Sequence, residues 1–337
     1  MLIENLCRLC NAAGCAGQGD IAQTATDLLR PFVDEIKQDS LGNVIGFRTA
    51  SVSDAPTVML EAHLDEIGFL VTHIDERGFV FVGAAGGIDR RVLAAQKVVI
   101  YGKEPIFGVF SSVPPHLSRG EDKLPEIADM AIDTGLSAEK AKELIPLGAR
   151  VCFAPNFTQL GDGTVSSKAL DNRSGMAAIL HCLEQLDDRS VNVAAAFCVQ
   201  EELGCRGSAV ATKQINPDFA IVTDVSFALT KDADARCCGE MNKGVMVGIS
   251  PILNEEMQQE LCDLAVNSNI PHQYEVMAEA TGTDADSITT VGFGVKTALL
   301  SIPLRYMHTP VETVAVNDIA AVGDLMAAFI KAKGAKK

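Results

Sequence analysis

Short apolar runs that alternate with helical segments constrain the fold of this 337-residue chain more than any other feature. The strand-like runs cover residues 57–62, 191–199, 219–223 and 297–302. Helical patterns cover residues 1–37, 176–186, 254–268 and 316–333. The strand-like runs are almost free of charge, as is typical of strands that are buried on both faces of a sheet. The alternation predicts an α/β fold with a mostly parallel sheet and helices on both of its faces.

The stretch from Phe69 to about residue 158 has a different character. It contains recurrent β-rich runs that are separated by Gly and Pro, which predicts a small β-barrel or sandwich. Within a longer polar interruption, Ser137 is a candidate helix N-cap. We therefore expect a discontinuous α/β domain, formed by residues 1–68 and 159–337, and an inserted β-rich domain, formed by residues 69–158.

The charge balance bears on the partners of the chain. Lys and Arg number 28 against 44 Asp and Glu, a net charge of −16. Nucleic-acid binding needs clustered basic residues and an anionic membrane surface repels acidic proteins, so we expect neither partner.

The sequence also bears on location. We find no apolar stretch long enough for a transmembrane helix and no signal peptide. The ten cysteines have no framework spacing, which favours reduced thiols in the cytoplasm. The Cys7-x-x-Cys10 pair is interpreted as part of an amphipathic helix, because no second pair of ligands follows at zinc-finger spacing.

His, Asp and Glu residues stand where the apolar runs end. In chain order they are His63, Asp65, Glu201, Glu202, Asp224 and His308, and Asp171 opens a helix. Ligands of open α/β sheets bind beyond the carboxyl ends of the strands, because the loops converge there. Several carboxylates at one edge repel one another unless cations neutralise them. Histidine together with carboxylate therefore predicts a site for divalent metal ions.

The number of these residues suits two ions that share one carboxylate. Such a site needs two histidines and three carboxylates if each ion also has a terminal carboxylate. The set comprises His63, Asp171, Glu202, Asp224 and His308. Glu201 is left over and is available as a general base for a water molecule. Asp65 is placed to accept the second ring N–H of His63.

Six segments carry a family resemblance. They are AHLDEIGFLV (62–71), ALDNRSGMAA (169–178), VQEELGCRGS (199–208), IVTDVS (221–226), GTDAD (282–286) and YMHTPVE (306–312). With the PPHL segment (114–117) of the insert, they resemble the cytosolic dinuclear-metal aminopeptidases of the glutamyl, leucyl and deblocking type. These proteins, also labelled cellulase- or endoglucanase-like, form tetrahedral particles. The resemblance extends over nearly the whole chain.

The resemblance implies a zinc-exopeptidase-like fold and two divalent ions per subunit, zinc or alternatively cobalt or manganese. It implies that His63 and Asp224 bind one ion, that Glu202 and His308 bind the other, and that Asp171 bridges them. It also implies peptide substrates and a homo-oligomer in which dimers assemble into a tetrahedral dodecamer. The inserted domain would serve assembly or substrate access.

The resemblance also implies roles for residues around the metals. Glu201 would act first as general base and then as general acid, and Asp65 would orient a histidine ligand. Gly282, Thr283 and Asp284 would line the substrate pocket. The expected reaction is the removal of N-terminal residues from peptides.

Three other functions remain open from the sequence. A deacylase or carboxypeptidase also uses paired metal ions, although its usual insert is a helix-bearing lid. A glycosidase uses paired carboxylates without metal. A non-catalytic subunit of a peptidase particle would be expected to lack a ligand. The side-chain preference of the S1 pocket also remains open.

Overall fold

The computed structural model describes residues 1–114, 116–117 and 124–335. Pro115, which belongs to the PPHL segment, lies outside the described residues. The helices are α1 (Leu2–Asn11), α2 (Ile21–Leu29), α3 (Ala138–Leu144), α4 (Leu170–Glu184), α5 (Arg206–Ile215), α6 (Glu255–Asn267), α7 (Ala285–Ile288) and α8 (Val316–Ala335). Within these described ranges, no helix has both the length and the apolar character needed to cross a membrane.

The strands form a large sheet and a separate barrel. The sheet contains β1 (Glu35–Gln38), β2 (Val44–Arg48), β3 (Thr57–His63), β10 (Thr158–Gln159), β11 (Thr164–Ser167), β12 (Asn192–Cys198), β13 (Phe219–Phe227), β14 (Val245–Ile249), β15 (His272–Val276), β16 (Lys296–Arg305) and β17 (Glu312–Ala315). The barrel contains β4 (Gly68–Ile74), β5 (Val80–Ala85), β6 (Lys97–Tyr101), β7 (Pro105–Phe110), β8 (Ala131–Asp133) and β9 (Arg150–Phe153).

The large sheet is mixed. Its order is β1-β2-β12-β3-β13-β16-β17-β11-β10, and β14 joins β16 and carries β15 on its other side. The central strands β12, β3, β13 and β16 are parallel, whereas the flanking pairs β1-β2, β2-β12, β16-β17, β17-β11 and β11-β10 are antiparallel. The predicted α/β sheet is confirmed, and its parallel part is the centre that the buried apolar runs form.

Helices cover both faces of this sheet, as predicted. Side chains alternate along a strand, so Val58 and Leu60 face a core that includes residues of α1, α4 and α8. Met59 faces the opposite core, to which α5 contributes Ala211 and α7 contributes Ile288. The central strands are therefore buried on both faces, and their carboxyl ends are the part left open to a ligand.

The N-terminal region differs from the single helical stretch predicted over residues 1–37. Helices α1 and α2 are separated by a loop, and β1 begins at Glu35. Gly19 in this loop has a φ of +141°, and a Cβ there would lie 2.3 Å from the carbonyl oxygen of Ala13. Only glycine fits such a close approach, which fixes the fold of this loop. Cys10 is buried on α1, as the amphipathic interpretation requires.

The six barrel strands close in the order β4-β5-β8-β7-β6-β9 and enclose a core of their own. Phe69 packs edge-on against Phe110 and Phe153, with ring centroids 5.0 and 5.7 Å apart. The Oγ of Ser137 accepts a hydrogen bond from the N–H of Lys140 and caps α3. The β-barrel predicted from the β-rich runs is confirmed.

Candidate active site

The polar residues that follow the central strands meet at one edge of the sheet. His63 ends β3, and the loop after β12 carries Glu201 and Glu202. Asp224 lies within β13, and the first turn of α4 carries Asp171. His308 follows β16 and has a left-handed φ of +61°, a backbone conformation found often at functional sites.

The Asp171 carboxylate lies between the two imidazoles. Its Oδ1 is 3.0 Å from Nε2 of His63, and its Oδ2 is 3.5 Å from Nε2 of His308. Asp224 Oδ1 lies 3.8 Å from the first imidazole, and Glu202 Oε1 lies 3.6 Å from the second. The residues form two groups, His63–Asp171–Asp224 and Asp171–Glu202–His308. Each group offers three ligand atoms within 4.8 Å of one another, and Asp171 belongs to both groups.

The electrostatics of the cluster fit a pair of cations. Burial raises the pKa of Glu202 to about 8 and the pKa of Asp224 well above its ordinary value. Carboxylates with such a raised pKa lack sufficient positive charge from the protein itself. Two divalent ions would supply it, and imidazole with carboxylate oxygen is a donor set that such ions accept. The residues present therefore fit a two-ion site.

For His308 and Asp171, the contacts with neighbouring side chains together have a larger effect on the pKa than burial has. The hydrogen bond to Asp171 raises the pKa of His308 to about 9, against the effect of burial. Burial works to raise the pKa of Asp171, but its contacts with His308 and His63 outweigh burial and lower it. Asp171 is thus held ionised between two nitrogen donors, as a bridging ligand must be.

Glu201 also lies beside this cluster, next to His63. Its Oε2 lies 4.0 Å from Nε2 of His63, and its side chain is 13% exposed. Burial raises the pKa of Glu201 to about 7. A carboxylate with a pKa near neutrality both accepts and returns a proton readily, which suits a general base.

Asp65 has a broader structural role than the sequence predicts. Its Oδ1 lies 3.5 Å from Nδ1 of His63, but the carbonyl oxygen of Asp65 is closer to that nitrogen, at 3.2 Å. The buried carboxylate also accepts hydrogen bonds from the N–H groups of Glu201 at 3.2 Å and Glu202 at 3.4 Å. Asp65 therefore fixes the loop after β12 as well as the histidine.

Sequence reasoning missed Glu312, although it stands in the YMHTPVE segment. This buried carboxylate accepts hydrogen bonds from the N–H of Asp171 at 3.1 Å and from the N–H of His308 at 2.9 Å. Burial raises its pKa well above the ordinary value. Glu312 thus ties together the backbones of two candidate ligands, and its position four residues after His308 was the available signal.

A buried ion-pair group behind the site was also missed. Nζ of Lys168 lies 2.7 Å from one oxygen of Glu66, and Nη2 of Arg173 lies 3.7 Å from the other. The N–H of Gly14 also donates to Glu66, at 2.8 Å. Glu66 follows Asp65 directly, so this group anchors the segment that carries Asp65.

The predicted pocket residues divide into two groups. Gly282 and Thr283 line the cavity in front of the cluster, whereas Asp284 is 1% exposed and is not among the described residues of its wall. Asp284 precedes α7, which packs under the sheet, and its carboxylate therefore points inward. It accepts a hydrogen bond from Ser208 Oγ at 2.6 Å and lies near the buried Glu61.

The cavity in front of the cluster has a volume of about 750 Å³. Its wall includes all of the candidate ligands and Glu201, together with residues of β15 and β16. Gly87, which follows β5, also lines it, and a Cβ at Gly87 would lie 3.0 Å from Nδ1 of His308. The barrel region therefore contributes directly to the site.

A mixed α/β sheet with a histidine–carboxylate cluster at its carboxyl edge fits the class of metal-dependent hydrolases. Within that class, the sequence model for the M42 glutamyl aminopeptidase family matches residues 42–325. The chain belongs to this family.

Individual relatives are similar to this chain over almost its full length. Lysyl aminopeptidase of Pyrococcus furiosus is 36% identical over 305 residues, which cover 89% of this chain and 87% of that protein. The aminopeptidase of the archaeon Desulfurococcus kamchatkensis has a similar structure, with a TM-score of 0.91, 32% identity and coverage of 98% of this chain and 94% of that chain.

A third relative is a peptidase of known assembly. The TET1 peptidase of Pyrococcus horikoshii, which can assemble into a tetrahedron or a large octahedral shell, has a TM-score of 0.86 and 29% identity. The match covers 98% of this chain and 99% of that chain.

The protein is therefore an aminopeptidase, a hydrolase that uses divalent metal ions to remove N-terminal residues from peptides. This finding favours the aminopeptidase prediction over a deacylase, a carboxypeptidase or a glycosidase.

Proposed function

We propose that His63 and Asp224 hold one divalent ion, that Glu202 and His308 hold a second, and that Asp171 bridges the two. The observation that carries this assignment is the position of the Asp171 carboxylate, each oxygen of which faces a different imidazole.

The chemistry that two divalent ions would supply at such a site is a more acidic water molecule and a polarised scissile carbonyl. Glu201 takes a proton from the attacking water and then delivers it to the leaving amine. Asp65 positions Glu201 through its backbone N–H, so that the carboxylate stays beside His63. Gly282 and Thr283 form part of the wall against which the substrate lies.

The metal is proposed to be zinc, with cobalt or manganese as alternatives. Imidazole and carboxylate ligands suit zinc, and the same donor set accepts the other two ions.

Removal and return of the metal tests this proposal. We expect a chelator to abolish hydrolysis of aminoacyl p-nitroanilides and re-addition of one of the three metals to restore it. N-acetylated versions of the same substrates should not be cleaved. Full activity in the presence of the chelator, or equal cleavage of the blocked substrates, would contradict the proposal.

We further propose a cytoplasmic homo-oligomer in which dimers form a tetrahedral dodecamer. The TET1 relative supports this by its own assembly. Residues 69–158 would then form an inserted domain that serves assembly or substrate access. Its strand β7 presents Phe107 and Val109 outward, 70% and 41% exposed, which supports a contact with another subunit at this face.

A further inference from the structure

One carboxylate in the active-site cavity has no part in the proposed metal site. Glu275 lies on β15, is half-buried and lines the cavity. Its two oxygens accept hydrogen bonds from the hydroxyls of Ser226 and Ser301, the latter at 2.6 Å. Both serines are almost fully buried, with 9% and 1% exposure. The carboxylate is therefore held in one orientation in the cavity wall.

Ser226, which donates to Glu275, lies on the same strand as the candidate ligand Asp224. Ser226 follows Asp224 by two residues on β13, so both side chains are on the same face of the sheet. Two residues of a strand span about 7 Å. An N-terminal residue whose scissile carbonyl is at the cluster could thus extend a long side chain to the carboxylate.

The charge of Glu275 is not balanced by the protein. Among the described side chains, no Lys, Arg or His forms an ion pair with it. Arg236, the one Lys or Arg side chain among the described residues of the cavity wall, is 87% exposed and already pairs with Asp234 at 2.6 Å. A half-buried, unpaired carboxylate favours a cationic ligand, because the ligand's charge offsets the loss of hydration.

We propose that Glu275 forms the end of the S1 pocket and selects peptides with an N-terminal lysine or arginine. This inference rests on the proposed function, since it places the scissile bond at the metal cluster. The hydroxyls of Ser226 and Ser301 orient the carboxylate, and its remaining lone pairs accept the ammonium or guanidinium hydrogens of the substrate. Neutral side chains of the same length lack this interaction, so the discrimination comes from charge and not from size.

Kinetics on matched substrates test this assignment. We expect the metal-loaded enzyme to cleave lysyl p-nitroanilide with a higher kcat/KM than the norleucyl substrate, which has a neutral side chain of similar length. In Glu275→Gln, kcat/KM for the lysyl substrate should fall roughly 10- to 100-fold, while the norleucyl value stays within about twofold. Glu275→Asp keeps the charge and should retain more of the lysyl preference than Glu275→Gln.

Glu279→Gln is the matched control, because Glu279 is exposed, close in sequence and outside the cavity wall. It should behave as the parent enzyme. A parent enzyme that prefers norleucyl or glutamyl substrates over lysyl overturns the S1 assignment but leaves the proposed function intact. An equal loss for both substrates in Glu275→Gln also overturns it. Absence of cleavage of every substrate in the metal-loaded parent would instead contradict the proposed function.

Discussion

The two adjacent glutamates of the β12 loop illustrate how position separates the roles of identical side chains. Glu202 lies 3.6 Å from His308 and belongs with Asp171 to one group of candidate metal ligands. Glu201 instead lies 4.0 Å from His63 and has a more exposed carboxylate. The backbone N–H groups of both residues are bound by Asp65, which fixes their directions. One glutamate is thus available as a ligand and the other as a base.

Substitution of these two glutamates separates the roles. Glu201→Gln should retain two metal ions per chain and lose about 10²- to 10⁴-fold in kcat, because an amide does not accept the proton from water. Glu202→Gln is the matched control and should lose bound metal as well as activity. Metal content measured by mass spectrometry distinguishes them. Loss of metal in Glu201→Gln would assign Glu201 as a ligand instead.

The buried ion-pair group gives a prediction about stability. Glu66→Gln leaves the charges of Lys168 and Arg173 buried without a counterion, since their side chains are 2% and 0% exposed. We expect the free energy of unfolding to fall by about 3–5 kcal/mol. Denaturant unfolding of the two proteins measures the difference.

The control for this prediction is Glu76→Gln. The Glu76 side chain is 99% exposed and its ion pair with Lys142 is long, at 3.8 Å, so the stability of this variant should match that of the parent. A Glu66 variant that is as stable as the Glu76 variant would show that other groups compensate the two buried cations.

At the scale of elements, the site depends on the contact between the barrel region and the sheet. Gly87 follows β5 and approaches the imidazole of His308, which follows β16. Because a Cβ at Gly87 would be 3.0 Å from Nδ1 of that ring, the imidazole would have to move by a few tenths of an ångström. The barrel loop therefore limits the position of one candidate ligand.

Gly87→Ala should weaken the affinity of the second metal position roughly tenfold, because it displaces a ligand without removing it. Titration of the metal-free enzyme with zinc by calorimetry measures this change. Gly161→Ala is the control, since a Cβ there meets no atom within 4 Å. Equal zinc affinities in the two variants would mean that the loop carrying Gly87 moves and that the imidazole of His308 stays in place.

The strands of the sheet centre and the candidate ligands were predictable from the sequence for one physical reason. Strands buried on both faces must be continuously apolar, so a His, Asp or Glu at the end of such a run stands out. His63 and Asp224 were found in this way, and the crossover rules placed them at a common edge. The family resemblance then supplied roles that spacing alone does not determine.

Other features needed three-dimensional contacts. The loop between α1 and α2 contains the close approach of Gly19 to Ala13, which helical periodicity does not reveal. Asp284 was placed in the pocket by its motif, but the packing of α7 turns its carboxylate inward. Glu275 gave no sequence signal, because its significance comes from serines on two other strands.

At the scale of the whole molecule, assembly is the property to test. We expect light scattering after size exclusion to give a mass about twelve times 35.7 kDa. Phe107→Ser should reduce this mass if the outward face of β7 forms contacts between subunits. A parent protein that is monomeric at all concentrations would contradict the proposed assembly, without affecting the metal site.

The decisive experiment on the metal site is anomalous diffraction at the zinc edge from crystals of the zinc-loaded enzyme. We predict two peaks per chain on opposite sides of the Asp171 carboxylate, one beside His63 and Asp224 and the other beside Glu202 and His308. A single peak, or two peaks that do not share Asp171, would contradict the two-ion assignment.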